Sequence, residues 1–321
     1  MYSVIIPTNR PIEKIIPTLF ALSIQVQPVD KIYLLLDIKA SKWFEQLVRE
    51  YKSEIQTQLG DFAKKILIIS ELDTSFKANL GVSYVRNYGF SLVDSPLVLS
   101  IDDDNIVDTD FCARLIQTRK EIKKTTNKSA VLVPTEKHKW KIRSRGYRRF
   151  SYFLGIQRPV AINIFSKRKI KYFAKEAVLP IQFSSSNCLF GATKTFQYVP
   201  FDERMEFIYE DMDLTQRITK AGYPMYVLLD LFINHEMRDK IPLEKSYLAT
   251  PKDVYQKSRN RSIMVKNSAD VEHKIVYFLF GLWIHSVFIF QKIIRFAPKT
   301  QRKLLLRQLR KGTRDGVLGK Y

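Results

Sequence analysis

The chain has 321 residues, 45% hydrophobic and 26% charged, so it exceeds one typical domain and can bury a sizeable core, which excludes a wholly disordered chain. Lys and Arg number 53 against 32 Asp and Glu, and the formal charge of +21 calls for a polyanionic partner: nucleic acid, an acidic membrane face or a phosphorylated substrate. Two cysteines, Cys112 and Cys188, lie far apart without metal-ligand spacing, so reduced, buried thiols are expected rather than a disulfide framework.

The chain opens on Tyr2-Ser3-Val4-Ile5-Ile6, with no charged segment leading into a long apolar core, so no secretory signal is expected and the protein is placed on the cytoplasmic side. Short β-branched runs at residues 4–6, 32–36, 66–69, 97–101 and 131–133 alternate with helical patterns at 42–59 and 80–92. That alternation predicts βαβ units and a mostly parallel sheet. Asn79 is the expected N-cap of the second helix, and another helix is expected to begin near Asp110.

The run Leu97-Val98-Leu99-Ser100-Ile101-Asp102-Asp103-Asp104 ends an apolar strand on three adjacent carboxylates, whose mutual repulsion asks for a cation. Strand carboxyl ends are where open α/β sheets bind ligands, and an oxygen-only Asp-x-Asp pair suits Mg²⁺ or Mn²⁺. The competing reading is a solvated acidic turn. Residues 137–150 interleave seven cations with Trp140, Tyr147 and Phe150, a pattern suited to nucleic acid, a membrane interface, a diphosphate or simply a solvated loop.

Residues 183–192, rich in small hydroxyl side chains, read as a loop that lets a ligand approach the backbone. A helix is expected over 211–221, stopped by Gly222 and Pro224, and a buried strand over 225–229. Glu210-Asp211-Met212-Asp213 stands at that helix's start, where the dipole and free amides keep a carboxylate ionised, as a general base requires. For Asp213 the expected role is a surface pair with Arg217. Residues 275–290 are almost wholly apolar between Lys274 and Lys292, and a basic run from Arg302 to Lys311 follows. Those features suit a helix lying at or dipping into a bilayer with an anionic leaflet; a buried helix with a basic tail is the alternative.

Four of these stretches, in this order, resemble the inverting family 2 glycosyltransferases of the GT-A fold. They are Ser3-Val4-Ile5-Ile6-Pro7-Thr8-Asn9-Arg10, then Asn79 to Gly89 (with Val85 in place of the usual Ala), then Asp102-Asp103-Asp104, and finally Glu210-Asp211-Met212-Asp213-Leu214-Thr215-Gln216-Arg217-Ile218. Tyr255 to Asn260 resembles a Tyr-x-x-x-Arg-Asn segment of the non-processive rhamnosyl- and galactofuranosyl-transferase-like branch, and departs from the Gln-x-x-Arg-Trp sequence of processive synthases.

The resemblance implies a GT-A catalytic domain over 1–240, Rossmann-like with helices on both faces of the sheet, and a basic, helical, membrane-associating region over 241–321. It implies that Pro7, Thr8 and Arg10 line a nucleotide pocket, that Asp37 meets the base, and that Arg86 meets the nucleotide or its phosphates. Asp102 and Asp103 would contact the nucleotide sugar, Asp104 would hold Mg²⁺ or Mn²⁺, Asp211 would be the general base, and Glu210 would orient donor or acceptor. His235 is a candidate ligand of the metal or diphosphate, and Arg259 a further cation for the diphosphate. The expected partners are a nucleotide-sugar donor, a lipid-linked or polysaccharide acceptor and the membrane's inner face. A nucleic-acid-binding protein and a degenerate transferase acting as a membrane scaffold are the alternatives; no nucleic-acid reading motif stands in the chain.

Overall fold

A computed structural model describes residues 1–37, 44–70, 81–136, 178–181, 184, 187–235 and 250–320. The expected N-cap Asn79 and the cation-rich run 137–150 lie outside the described residues, as does the side chain of His235.

One sheet carries β1 (Ser3–Thr8), β2 (Lys31–Leu36), β3 (Ile66–Ile69), β4 (Leu97–Ile101), β5 (Asn105–Val107), β6 (Val131–Glu136), β7 (Val178–Ile181), β8 (Cys188–Ala192) and β9 (Met225–His235). Its order is β3-β2-β1-β4-β8-β6-β9-β5, with β7 on β9. β3, β2, β1 and β4 run parallel, as do β6 and β9, while β8 is antiparallel to both β4 and β6.

Strand side chains alternate between faces, so Val4 and Ile6 join one apolar cluster and Ile5 the other. Burial on both faces explains why β1 reads as an unbroken apolar run. The first cluster is roofed by α1 (Ile16–Ser23), α2 (Phe44–Leu59) and α4 (Phe111–Thr126); α3 (Gly81–Leu92), α5 (Thr193–Tyr198) and α6 (Glu210–Lys220) cover the second. Both cysteines are buried and free, as expected.

Two expectations change. Half of the stretch read as a ligand-facing loop, Cys188–Ala192, is a buried central strand, because pairing with β4 and β6 satisfies its backbone where the sequence shows no alternation. The strand expected over 225–229 continues to His235, its last residues pairing with β5.

Beyond these, α7 (Pro251–Ser268) opens with a capping box in which Thr250 accepts from the Asp253 amide and Asp253 from the Thr250 amide. α8 (Val271–Phe296) is one continuous helix with a π turn at Tyr277–Gly281, followed by α9 (Lys299–Leu318). α8 is long and apolar enough to cross a membrane. α9 lies against α7 at two glycines: a Cβ on Gly312 would come 2.4 Å from the Tyr255 carbonyl oxygen, and one on Gly316 2.5 Å from that of Arg259. Only glycine permits that backbone approach. Gly312→Ala and Gly316→Ala are each expected to cost about 1–3 kcal/mol through overpacking, read as a lower midpoint in urea unfolding.

Candidate active site

Register gathers the site. Pro7 pairs with Leu35 and Thr8 with Leu36, while β4 runs beside β1, so all three strands end on one edge of the sheet. Just past those ends a cavity of about 590 Å³ is lined by Pro7, Thr8, Arg10, Asp37 and Asp102 to Asp104. Asp37 is held there by its amide, which donates to the Thr8 carbonyl at 2.8 Å.

The three carboxylates are compensated from two directions. Arg10 reaches Asp104 at 2.9 Å and Asp103 at 3.3 Å, and Thr8 donates its hydroxyl to Asp103 at 2.5 Å. Arg86, buried on α3, pairs with Asp102. Arg10 is itself fixed from below, since the Tyr51 hydroxyl on α2 donates to its carbonyl. Burial nevertheless pushes the Asp102 carboxyl up to about 6, against the pull of Arg86 and with the neighbouring carboxylates adding to the rise. Backbone bonds lock the acidic turn: the Asp102 amide donates to the Asn187 carbonyl at 2.9 Å, and the Thr18 hydroxyl to that of Asp103, also at 2.9 Å.

Among the described residues no three Asp, Glu, His or Cys side chains converge as a complete metal cage. The donors fit a cation that keeps outside ligands: Asp104 offers carboxylate oxygens on a cavity wall, and Mg²⁺ binds through one or two carboxylates plus phosphates and water. The backbone of His235 pairs with Asn105, next to Asp104 in the chain.

The second acidic motif stands beyond that wall. Glu206 and Phe207 line the cavity, and the chain then turns through Ile208 and Tyr209, both with left-handed φ (68° and 72°), into α6. Such conformations are costly for residues with a Cβ and persist only where the surroundings impose them. Here Asn260 of α7 donates to the carbonyls of Phe207 (2.8 Å) and Ile208 (2.9 Å), and the Arg261 guanidinium lies 5.0 Å over the Tyr209 ring. Glu210 is buried and Asp211 half-buried in the first turn of α6, and neither is on the cavity wall.

Three placements differ from the sequence reading. Asp213 and Arg217 do pair, at 2.7 Å, but the Asp213 side chain is fully buried rather than at the surface, and burial lifts its carboxyl to about 6 against Arg217. Arg259 lies off the cavity, buried, donating to the Arg204 carbonyl and stacked 5.3 Å over Tyr255. Arg86 stands behind the wall and acts on the cavity through Asp102.

Sequence reasoning missed Glu206, Lys252 and Gln256 on the opposite wall. Lys252 pairs with Glu206 at 2.9 Å and Gln256 donates to it at 3.1 Å. No local pattern marks them; they reach the cavity only because α7 packs there.

This architecture has solved counterparts. Superposition on S. aureus TarS covers 99% of this chain and 55% of that one, at 16% identity and a TM-score of 0.51. TarS 1-349 in complex with UDP-GlcNAc aligns over 100% of this chain and 92% of that one, at 16% identity and a TM-score of 0.52. The complex of the same fragment with UDP gives 15% identity, the same coverage and a TM-score of 0.50. The fold is the GT-A fold. The chain spans about half the length of full TarS. No family model and no curated protein matches the sequence.

Two outcomes follow. Arg10→Gln leaves Asp103 and Asp104 facing each other without their guanidinium, so its Tm in metal-free buffer is expected to fall; Mn²⁺ should then raise the Tm of the variant more than that of the parent, because no Arg10 contact has to be displaced. Asn260→Leu strands two carbonyls and is expected to cost about 1–3 kcal/mol for each left unsatisfied, read by urea unfolding.

Proposed function

We propose that this protein is an inverting glycosyltransferase, a non-processive member of family 2, that moves a sugar from a nucleoside-diphosphate sugar to a hydroxyl group. The observation that carries the reading is the cavity at the carboxyl ends of β1, β2 and β4, walled by Thr8, Arg10, Asp37 and Asp102 to Asp104. Its support is the fold shared with a protein crystallised with UDP-GlcNAc and with UDP.

In this reading Asp37, at the end of β2, accepts from the nucleotide base, and Asp102, aligned by Arg86, accepts from ribose or sugar hydroxyls. Asp104, joined in this role by His235, would hold Mg²⁺ or Mn²⁺, which when bound offsets the charge growing on the diphosphate as the glycosidic bond breaks. Arg10, whose side chain is 29% exposed, turns from the carboxylates toward the phosphates. Lys252 faces the same space from the other wall. Arg259 serves by holding the Arg204 carbonyl rather than by touching the donor.

Asp211 takes the proton of the acceptor hydroxyl as that oxygen attacks the anomeric carbon from the face opposite the leaving diphosphate. Its place in the first turn of α6 sets it at the positive end of the helix dipole, which favours a negative charge, and a single base suffices for inversion. Glu210 orients the acceptor from the same turn. Because Asp211 stands past the cavity wall, the acceptor approaches from the α6 and α7 side, and the donor occupies the strand ends. The acceptor we assign is lipid-linked or part of a cell-surface polysaccharide, reached at the inner face of the membrane by way of the C-terminal helices.

A thermal-shift panel of nucleoside diphosphates and nucleotide sugars, with and without Mn²⁺, tests the reading. The parent should be stabilised by nucleotide and Mn²⁺ together, and Asp104→Asn should lose the Mn²⁺-dependent part. Asp211→Asn should keep the shift and lose transfer by about 10²–10⁴-fold. Transfer at the parent rate by Asp211→Asn would falsify the assigned chemistry.

A further inference from the structure

α8 has the length of a spanning helix, about 39 Å for 26 residues against a hydrocarbon core of about 30 Å. Its burial pattern is that of a helix lying flat. Tyr277, Gly281, His285, Ile289 and Ile293 are buried, one residue in every four along most of its length. An i+4 stripe drifts about 40° per step on a helix of 3.6 residues per turn; the wider π turn at Tyr277–Gly281 winds less per residue and offsets part of that drift.

The stripe is seated on the rest of the protein. Tyr277 packs with Ile263, Met264 and Val265 of α7 and with Tyr209 and Met212 at the start of α6. Ile289 and Ile293 pack with Val254 of α7 and with Leu305 and Leu309 of α9. His285, the polar interruption of the apolar run, faces inward, where burial and the Arg261 and Lys257 charges hold its pKa well below the usual histidine value.

The opposite stripe is bare: Ile275, Leu279, Trp283, Val287, Phe290 and Ile294 are all at least 40% exposed. Cations frame it. From residue 271 to 320 there are eleven Lys and Arg against two acidic residues, and the Lys292 ammonium and Arg295 guanidinium fold back over Phe288 and Phe296 at 4.7 and 5.1 Å. A long apolar face with basic flanks and an indole at its centre complements the headgroup region of an anionic leaflet.

We infer that α8 lies in the plane of an anionic lipid surface, with its Ile275 to Ile294 stripe sunk to the headgroup boundary and its Tyr277 to Ile293 stripe kept on the protein. A spanning placement would strip that inner stripe from α7 and α9 or carry their many cations into hydrocarbon. The in-plane placement puts the first turn of α6, which shares a cluster with Tyr277, about one helix layer from the lipid. With the transferase reading above, on which this point rests, the acceptor hydroxyl is then presented from a lipid-linked molecule at that surface.

Flotation of the full chain with phosphatidylcholine vesicles, with and without phosphatidylglycerol, tests it together with thiol labelling. Binding should be at least tenfold stronger to the anionic vesicles and weaken with salt, and Leu279→Glu and Trp283→Glu should each lose it at least tenfold while keeping the parent Tm and the nucleotide-dependent thermal shift. Because Cys112 and Cys188 are buried, cysteines introduced as Glu272→Cys and Phe296→Cys report the two helix ends. Both should react with an impermeant maleimide added outside the vesicles. Protection of one end means that α8 spans, and overturns the placement. Equal binding to neutral vesicles overturns the anionic assignment, and absence of flotation overturns the lipid placement, Trp283-dependent dimers in sedimentation then making the stripe a protein interface. None of these outcomes touches the donor-binding test, so the two readings fail separately.

Discussion

Three neighbouring carboxylates at the end of β4 are tolerated because two guanidinium groups meet them from different elements. Arg10 comes from the segment after β1 and Arg86 from the middle of α3, so the charge balance holds only while β1, β4 and α3 keep their mutual register. Removing one member of a buried ion pair costs far more than the pair contributes as a whole. The site and the sheet edge are therefore one construction.

A second constraint runs through α7. Its Asn260 imposes the left-handed turn that launches α6, its Gln256 and Lys252 close the cavity wall around Glu206, and its backbone at Tyr255 and Arg259 receives the glycines of α9. Through Val254 and the Ile263 to Val265 stretch it also carries α8. One helix thus links the strand-end cavity, the acidic helix and the apolar outer stripe.

Much of this was legible in the chain. The apolar runs of β1 to β4, the triple Asp, and the acidic start of α6 declare themselves by local pattern, because strand burial and helix polarity act over a few residues. β8 did not, since Cys188 to Ala192 has neither alternation nor turn signals and becomes a strand only by pairing on both sides. Asp213 read as a surface pair because an i, i+4 salt bridge looks the same in sequence whether or not another layer covers it; here Asp213 is fully buried. Arg259 read as a phosphate ligand from its motif, yet its guanidinium is taken by the Arg204 carbonyl and the Tyr255 ring.

Local composition by itself determined the alternating α/β order, the carboxylates at a strand end, the acidic start of a helix, and the apolar and basic character of the C-terminal region. These follow from side-chain periodicity and charge, which are properties of adjacent residues. Tertiary structure alone decided which arginine neutralises which aspartate, that Glu206, Lys252 and Gln256 form the far wall, and that α8 keeps one stripe on the protein while baring the other. Each of those depends on contacts between residues on different elements, and no short-range pattern encodes the geometry in which they meet.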